Sequence, residues 1–284
     1  MRVKIIFEDK DIIVIYKPAG LATQTAKVGQ KDAVSELKNY LAKQSAAAGG
    51  SKGQPNAGQE FHAKQPSKAN GQPYLGIIHR LDQPVEGLLV FAKNKKAAAS
   101  LTSQLSGNAE GLLNKHYYAV VCGKRMEKAG ELVDYLDKDE TGRAVIVPCE
   151  TAKESKEDGN KESEMWYGGS EVAGKSRIGK VAILHYRQKG TARSLSGESF
   201  SLLDVTIETG RFHQIRAQLA HAGMPILGDK KYGDEKSRLL SEELHIRNVA
   251  LCAYSLEFVH PVTGALKSFL IQPESDVFSC FDGK

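Results

Sequence analysis

Two short stretches of the sequence hold most of the side chains that could carry out catalysis. Residues 79–82 read His-Arg-Leu-Asp, and residues 210–216 read Gly-Arg-Phe-His-Gln-Ile-Arg. A carboxylate such as that of Asp82 can attack an electron-poor carbon, stabilise positive charge or accept a proton. A fixed arginine such as Arg216 favours the ionised form of a neighbouring acid. Taken alone, these residue types more often form a turn cap and a structural ion pair.

The residues around each stretch predict the elements that position it. Pro84 and Gly87 indicate a turn after the first stretch, and the apolar run 88–92 has the length of a buried strand. The alternating residues 200–208 predict a half-buried strand, which leads through a glycine turn into a helix that Gly223 ends. A buried strand fixes the side chains at its end, as catalysis requires.

The predicted strands occur in adjacent runs with few helices between them. This order favours an α+β fold on a mixed, largely antiparallel β-sheet with flanking helices, in one catalytic domain over residues 1–284. Two stretches of low complexity, about 44–73 and 150–180, are predicted to be mobile loop insertions. The predicted strands are residues 3–7, 11–16, 88–92, 115–123, 145–147, 181–188, 200–208, 250–258 and 267–271, and the predicted helices are residues 32–43, 95–106 and the one that Gly223 ends.

Composition excludes several classes of protein. The hydrophobic fraction of 41% and the charged fraction of 26% are typical of a globular domain, and no apolar run approaches the roughly 18 residues of a membrane helix. The four cysteines form no CxxC pair, which argues against zinc or disulfides and favours a reducing cytoplasm. Nucleotide-binding, metalloprotease and serine-hydrolase motifs are missing. The net charge of +5 is compatible with a polyanionic partner.

Further motifs follow the first stretch in a fixed order. They are Gly-Leu-Leu at 87–89, Lys-x-Tyr at 115–117, Gly-Arg-x-His-Gln-Ile-Arg at 210–216, Gly-Asp at 228–229 and Tyr-Gly at 232–233. From about residue 5 to residue 271, the chain resembles the RluA-type pseudouridine synthases. The resemblance implies one mixed-sheet domain that isomerises specific uridines in ribosomal or transfer RNA to pseudouridine. It implies neither metal nor cofactor, and we expect a monomer.

The resemblance also implies a role for individual residues. Asp82 matches the essential aspartate, and Arg216 matches the arginine that keeps this aspartate ionised. Tyr117 matches the tyrosine that packs on the target base, and Arg80 resembles the side chain that fills the place of the flipped nucleotide. The residues expected to contact RNA are Arg80, His79, Arg211, His213 and Gln214.

The sequence departs from the family pattern at a few positions. Val85 and Glu86 stand where many members have Thr-Ser, Phe212 replaces a threonine or serine, and Gln218 replaces a common histidine. We expect Glu86 either to hinder the approach of RNA or to point into solvent. No N-terminal RNA-binding domain of the S4 type is expected. Two alternatives stay open: a non-catalytic RNA-binding relative, and a glycoside or nucleoside hydrolase that uses Asp82 with a second acid such as Glu86.

Overall fold

A computed structural model describes residues 1–25, 27, 29–49, 73–106, 113–123, 127–147, 169–172 and 175–281. The chain divides into two compact units, which we name the Asp82 unit (residues 1–114 and 255–271) and the Arg216 unit (residues 115–254 and 272–284). The first elements in chain order are β1 (Lys4–Glu8), β2 (Ile12–Lys17), α1 (Ala33–Gly49), β3 (Gly76–Ile77), β4 (Glu86–Ala92) and α2 (Lys95–Leu105). They are followed by β5 (Asn114–Cys122), β6 (Ala129–Lys138), β7 (Ala144–Val147), β8 (Gly169–Val172), β9 (Lys175–Ile178), β10 (Lys180–Arg193), β11 (Ser199–Ile207), α3 (Gln214–His221), α4 (Glu235–Glu243), β12 (Leu251–Val259), β13 (Leu266–Leu270) and a 3₁₀ helix (Asp276–Phe281).

The Asp82 unit is built around two strands, β2 and β4, that are buried along their whole length. β1, β2 and β4 pair antiparallel in that order, and β12 forms an antiparallel hairpin with β13. Every residue of β2 and β4 is buried, as their continuous apolar runs predict. The core includes Val14 of β2, Val90 of β4, Leu101 of α2 and Phe258 of β12. Because β4 cannot shift within this core, the turn before it has a fixed position.

The Arg216 unit contains a second run of antiparallel strands, in the order β5-β11-β10-β6-β7. Helix α3 packs on this sheet through Ala217, which contacts the buried residues Leu136, Ala144 and Ala182. The fully buried Gln218 donates hydrogen bonds from its amide to the carbonyl oxygens of Leu132 and Ala182, at 3.1 and 3.0 Å. A glutamine at this position therefore ties α3 to β6 and β10.

Most predicted elements are present, with shifted ends. The predicted α+β organisation and the strands around both stretches are confirmed. Asn94 caps α2 by accepting a hydrogen bond from the amide of Ala97 at 2.9 Å. Gly223 has φ = 75° and follows the end of α3, as predicted. Whether the two units act as the single predicted domain stays a prediction.

Several elements were not predicted, and the predicted insertions are shorter than expected. Strand β6 mixes acids with apolar residues, and its pairing with β10 and β7 stabilises it more than its own pattern does. Helix α4 begins at Asp234, whose side chain accepts from the amide of Ser237. Residues 44–49 of the first predicted insertion belong to α1, and residues 169–172 and 175–178 of the second form the β8–β9 hairpin. Residues 50–72, 148–168 and 173–174 lie outside the described residues. Among the described helices, none is both long and apolar enough to cross a membrane.

Candidate active site

Asp82 lies in a turn that the segment after β2 holds in place. The amide of Val85 donates to the carbonyl oxygen of Asp82 at 3.1 Å, which closes the turn. The hydroxyl of Thr23 donates to the carbonyl oxygen of Leu81 at 2.8 Å, and the amide of Leu81 donates back to the Thr23 hydroxyl oxygen at 3.2 Å. The amide of Gly20 donates to the carbonyl oxygen of Gln83 at 2.8 Å. Asp82 itself is half-buried, so the turn presents a carboxylate on a rigid support.

Lys17 is a buried lysine beneath this turn. Its side chain is 0% exposed, and its ammonium group donates to the carbonyl oxygens of Leu21 at 2.7 Å, Pro18 at 3.1 Å and Gln83 at 3.4 Å. Burial lowers the pKa of Lys17 to about 7, although the negative charges of Asp82 and Glu86 act to raise it. Lys17 therefore joins the end of β2 to the Asp82 turn, a role that the sequence pattern alone did not assign.

Glu86, one of the departures from the family pattern, is also buried. It is 2% exposed, and the hydroxyl of Tyr16 donates a hydrogen bond to its carboxylate. Its negative charge acts on Lys17, so it balances a buried cation of the same unit. The alternative that Glu86 points into solvent is wrong, whereas an effect on the approach of RNA stays a prediction. A buried, hydrogen-bonded Glu86 is also unsuited to activate water as the second acid of a hydrolase.

The two residues that precede Leu81 differ in exposure. His79 is 8% exposed, and its Nε2 atom accepts a hydrogen bond from the amide of Val90 at 3.3 Å. This contact fixes the turn to β4 and gives His79 a role in the fold. Arg80 is exposed, as contact with RNA requires.

In the Arg216 unit, Arg216 is held by an acid that the motif search did not single out for a role. Arg216 is 5% exposed, and its Nε and Nη2 atoms donate to the two carboxylate oxygens of Asp229 at 2.7 and 2.8 Å. The ring of Tyr232 lies 5.1 Å from the guanidinium carbon. Burial raises the pKa of Asp229, but hydrogen bonds from Arg216 and from the amides of Lys231 and Tyr232 outweigh it and hold this pKa below its ordinary value. The pair is thus an ionised, bidentate one.

The start of α3 positions the other residues of the second stretch. His213 adopts a left-handed backbone with φ = 52°, and its Nδ1 atom lies 2.8 Å from the hydroxyl of Tyr232. Gln214 is 3% exposed and accepts hydrogen bonds from the hydroxyl of Thr209 and the amide of Arg211, at 2.8 and 2.9 Å. These bonds close the turn before α3, so they give Gln214 a structural role. Arg211 is exposed, and its Nε atom donates to the carbonyl oxygen of Val181 at 3.0 Å.

Tyr117 lies in β5, opposite Val205 of β11, and is 5% exposed. Lys115 precedes it by two residues and therefore shares its face of the strand. Burial lowers the pKa of Lys115 to about 8, so this face of β5 combines a phenol with an amine of reduced proton affinity.

One group of side chains in the described residues has ligand atoms close enough for a metal. Oxygen and nitrogen atoms of Asp9, Asp11 and His260 lie within 4.8 Å of one another. Asp9 accepts from the amides of Asp11 and Ile12 and lies 2.8 Å from His260 Nε2, and Asp11 accepts from the amide side chain of Asn94. These hydrogen bonds link the β1–β2 turn to Asn94 and to His260, which follows β12.

Comparisons with known proteins agree with this arrangement. The chain is 29% identical to an uncharacterised RNA pseudouridine synthase of Bacillus subtilis, over 92% of this chain and 66% of that protein. It is 31% identical to ribosomal large subunit pseudouridine synthase D of Nitrosomonas europaea, over 93% of this chain and 60% of that protein. The chain thus spans about two thirds of the length of these relatives.

Solved structures and a family model give the same result. Human RNA pseudouridylate synthase domain containing 4 has the same fold, with a TM-score of 0.62 and 21% identity over 97% of this chain and 90% of that one. Human RNA pseudouridylate synthase domain containing 1 has a TM-score of 0.58 and 16% identity, over 99% of this chain and 95% of that one. The family model described as RNA pseudouridylate synthase matches residues 11–221, which include the stretches 79–82 and 210–216. The predicted family and fold class are therefore confirmed: the chain belongs to the RNA pseudouridylate synthase family.

Proposed function

We propose that this protein isomerises uridine to pseudouridine in RNA and that Asp82 is the catalytic carboxylate. The observation that carries the proposal is the family match, which spans both the Asp82 turn and the Arg216 helix. The half-buried position of Asp82 in a braced turn supports it, because a catalytic group needs a fixed position and access to substrate.

The reaction needs a group of this kind. The bond between uracil N1 and the sugar carbon C1′ breaks, the base rotates, and its C5 atom bonds to C1′. The C5 proton then leaves to solvent and N1 takes up a proton, so the product is an isomer of the substrate. Breaking the first bond places positive charge on the sugar and negative charge on the base. A carboxylate beside C1′ can stabilise or attack that carbon.

Residues of the Arg216 unit have supporting roles in this proposal. The family resemblance assigns Arg216 to the catalytic machinery and Tyr117 to packing on the target base. Asp229 fixes the guanidinium of Arg216 by a two-point contact, and this contact limits the positions that Arg216 can take.

RNA contacts come from the exposed arginines Arg80 and Arg211 and from the half-buried His213. We assign Arg80 to the space that the flipped nucleotide leaves, since a planar cation can both stack on bases and bind phosphate. Arg211 and His213 contact the RNA backbone. The buried His79 and Gln214 support these residues through the fold rather than by contact.

The relatives' names guide the choice of substrate. Because relatives are named as ribosomal large subunit pseudouridine synthases, ribosomal RNA is the first substrate to test, and transfer RNA is the second. We further propose that residues 1–284 act as one catalytic domain, as a monomer without cofactor, in the cytoplasm. Among the described residues, Cys122 and Cys280 are free cysteines, which supports a reducing compartment.

Tritium release from RNA tests the proposed function. Ribosomal and transfer RNA transcripts carrying [5-³H]uridine are incubated with the wild type and with Asp82→Ala. We expect the wild type to release tritium and Asp82→Ala to release none. RNA binding without release by the wild type would indicate the non-catalytic relative, and free uracil would indicate the hydrolase. Equal release by both proteins would remove Asp82 from the chemistry.

A further inference from the structure

Phe212 is an aromatic side chain on the surface of the Arg216 unit. It is 43% exposed, although burial of a phenylalanine ring is favourable. It stands where the family pattern has a small polar residue, so its position is a feature of this chain. An exposed aromatic ring near the functional residues of an enzyme that acts on nucleic acid can stack on a base, which a buried ring cannot do.

The ring of Phe212 is held in a fixed orientation. It stacks on the ring of His213, with centroids 3.8 Å apart and planes 21° apart. His213 is fixed in turn by its contact with the hydroxyl of Tyr232 at 2.8 Å and by an edge-to-face contact with the Tyr232 ring at 5.6 Å. The Tyr232 ring also contacts the guanidinium of Arg216. A continuous chain of ring contacts therefore runs from Phe212 at the surface through His213 and Tyr232 to Arg216.

The surroundings of Phe212 carry positive charge. The ammonium group of Lys138, at the end of β6, lies 4.9 Å from the centroid of the Phe212 ring. Lys138 and Arg211 are both exposed. Arg143, at the start of β7, lies over the Tyr232 ring at 5.4 Å and donates to the carbonyl oxygen of Lys231. The nearby acid Asp139 accepts from the amide of Arg143 and the hydroxyl of Thr141, which hold it within its own turn.

We propose that Phe212 is a stacking site for an unpaired base of the RNA substrate, next to the target uridine. The site rests on the proposed function, because its connection to Arg216 places it beside the reaction only if Arg216 takes part. Single-stranded RNA is recognised by stacking its bases on aromatic side chains. An incoming base takes the place of the Lys138 ammonium on the ring, and Lys138 then binds the phosphate of the same nucleotide. A flat ring surrounded by cations fits a base and its phosphate better than it fits the surface of a protein partner.

Substitution of Phe212 by leucine tests the site. Leucine retains apolar bulk but has no ring face, whereas Phe212→Tyr retains the face and serves as the control. We expect Phe212→Leu to lower kcat/KM for tritium-labelled RNA about 5- to 150-fold, chiefly through KM, which is what 1–3 kcal/mol of stacking corresponds to. Phe212→Tyr and Leu195→Ala, which removes another exposed apolar side chain, should retain wild-type values. Thermal unfolding should be alike in all four proteins.

Ultraviolet crosslinking of the same RNA to the wild type gives a second, direct readout. A base stacked on Phe212 should crosslink to the peptide that contains it, and mass spectrometry identifies that peptide. An active wild type with equal kcat/KM for Phe212→Leu and no crosslink at Phe212 would refute the stacking site and leave the proposed function intact. An inactive wild type would refute the proposed function. In that case the crosslink alone decides whether Phe212 binds RNA.

Discussion

At the scale of single residues, the most informative contact is the one between Arg216 and Asp229. Both side chains are buried, and two hydrogen bonds join them. The backbone amides of Lys231 and Tyr232 also donate hydrogen bonds to the carboxylate of Asp229, at its Oδ1 atom. A buried pair of this kind contributes little net stability compared with apolar residues, but removing one partner leaves an unpaired charge. We infer that the pair fixes the geometry of Arg216 rather than the stability of the fold.

Substitution of Asp229 by asparagine should therefore impair both stability and activity. We expect a loss of about 3–5 kcal/mol in the free energy of unfolding at neutral pH and at least a tenfold lower kcat. The substitution Glu198→Gln, which removes the exposed ion pair with Lys236, is the control and should change neither quantity much. A kcat for Asp229→Asn equal to that of the wild type would show that Arg216 does not need this partner.

The pH dependence of unfolding checks the same pair. The pKa of Asp229 is below its ordinary value in the folded protein, so the unfolded chain takes up the proton first as the pH falls. The stability that Asp229 provides is present above its ordinary pKa of 3.8 and is lost as the pH falls through the lower folded value. Chemical unfolding at decreasing pH should show a steeper loss for the wild type than for Asp229→Asn. Parallel curves would contradict this assignment.

At the scale of elements, the end of β2 and the turn before β4 form one structure. Lys17 donates to carbonyl groups of both segments, and Thr23 exchanges two hydrogen bonds with Leu81. Glu86 of β4 acts on Lys17 with its negative charge, and Tyr16 of the paired strand β2 donates a hydrogen bond to Glu86. The position of Asp82 is therefore set by residues far from it in sequence.

Substitution of Lys17 by methionine should loosen the Asp82 turn while the strands remain. Three carbonyl groups lose their donor, so we expect kcat to fall at least tenfold with an unchanged circular dichroism spectrum. Lys17→Arg should not restore activity, because the site is closed around the ammonium group. The substitution Lys10→Met, at an exposed lysine of the same unit, is the control. A kcat of Lys17→Met equal to that of the wild type would show that Lys17 is not needed to position the Asp82 turn.

The pKa of Lys17 gives this prediction a pH dependence. Its folded value of about 7 is below the ordinary 10.5, so between these values the unfolded chain binds a proton that the folded protein does not. The contribution of Lys17 to stability therefore rises with pH from 7 to 10.5. The difference in free energy of unfolding between the wild type and Lys17→Met should move in favour of the wild type over this range. A flat difference would argue against a buried, proton-poor Lys17.

At the scale of the whole molecule, sequence patterns predicted the features that are determined by residues close together in the chain. The buried run of β4, the Asn94 cap and the glycine after α3 are local signals, and each is present in the structure. Both dense stretches also lie at element ends, as expected. Strand β6 could not be predicted, because its stability comes from pairing with β10 and β7.

The candidate site divides in the same way. Asp82 and Arg216 stand in recognisable motifs, but their partners Lys17 and Asp229 are identified only by contacts between distant segments. The sequence left open whether Glu86 hinders RNA or points into solvent, whereas Tyr16 and Lys17, on the neighbouring strand, allow its burial. The motif Gly-Asp at 228–229 was a signal for Asp229, since a glycine with φ = 75° sets the turn that presents it.

The most direct test of the central claim is single-nucleotide mapping of pseudouridine in cellular RNA. RNA is compared from cells that lack this protein and from the same cells supplied with the wild type or with Asp82→Asn, which retains the shape of the side chain. We predict that one or more pseudouridines in ribosomal or transfer RNA disappear without the protein, return with the wild type and stay absent with Asp82→Asn. Full restoration by Asp82→Asn, or an unchanged pattern without the protein, would contradict the account.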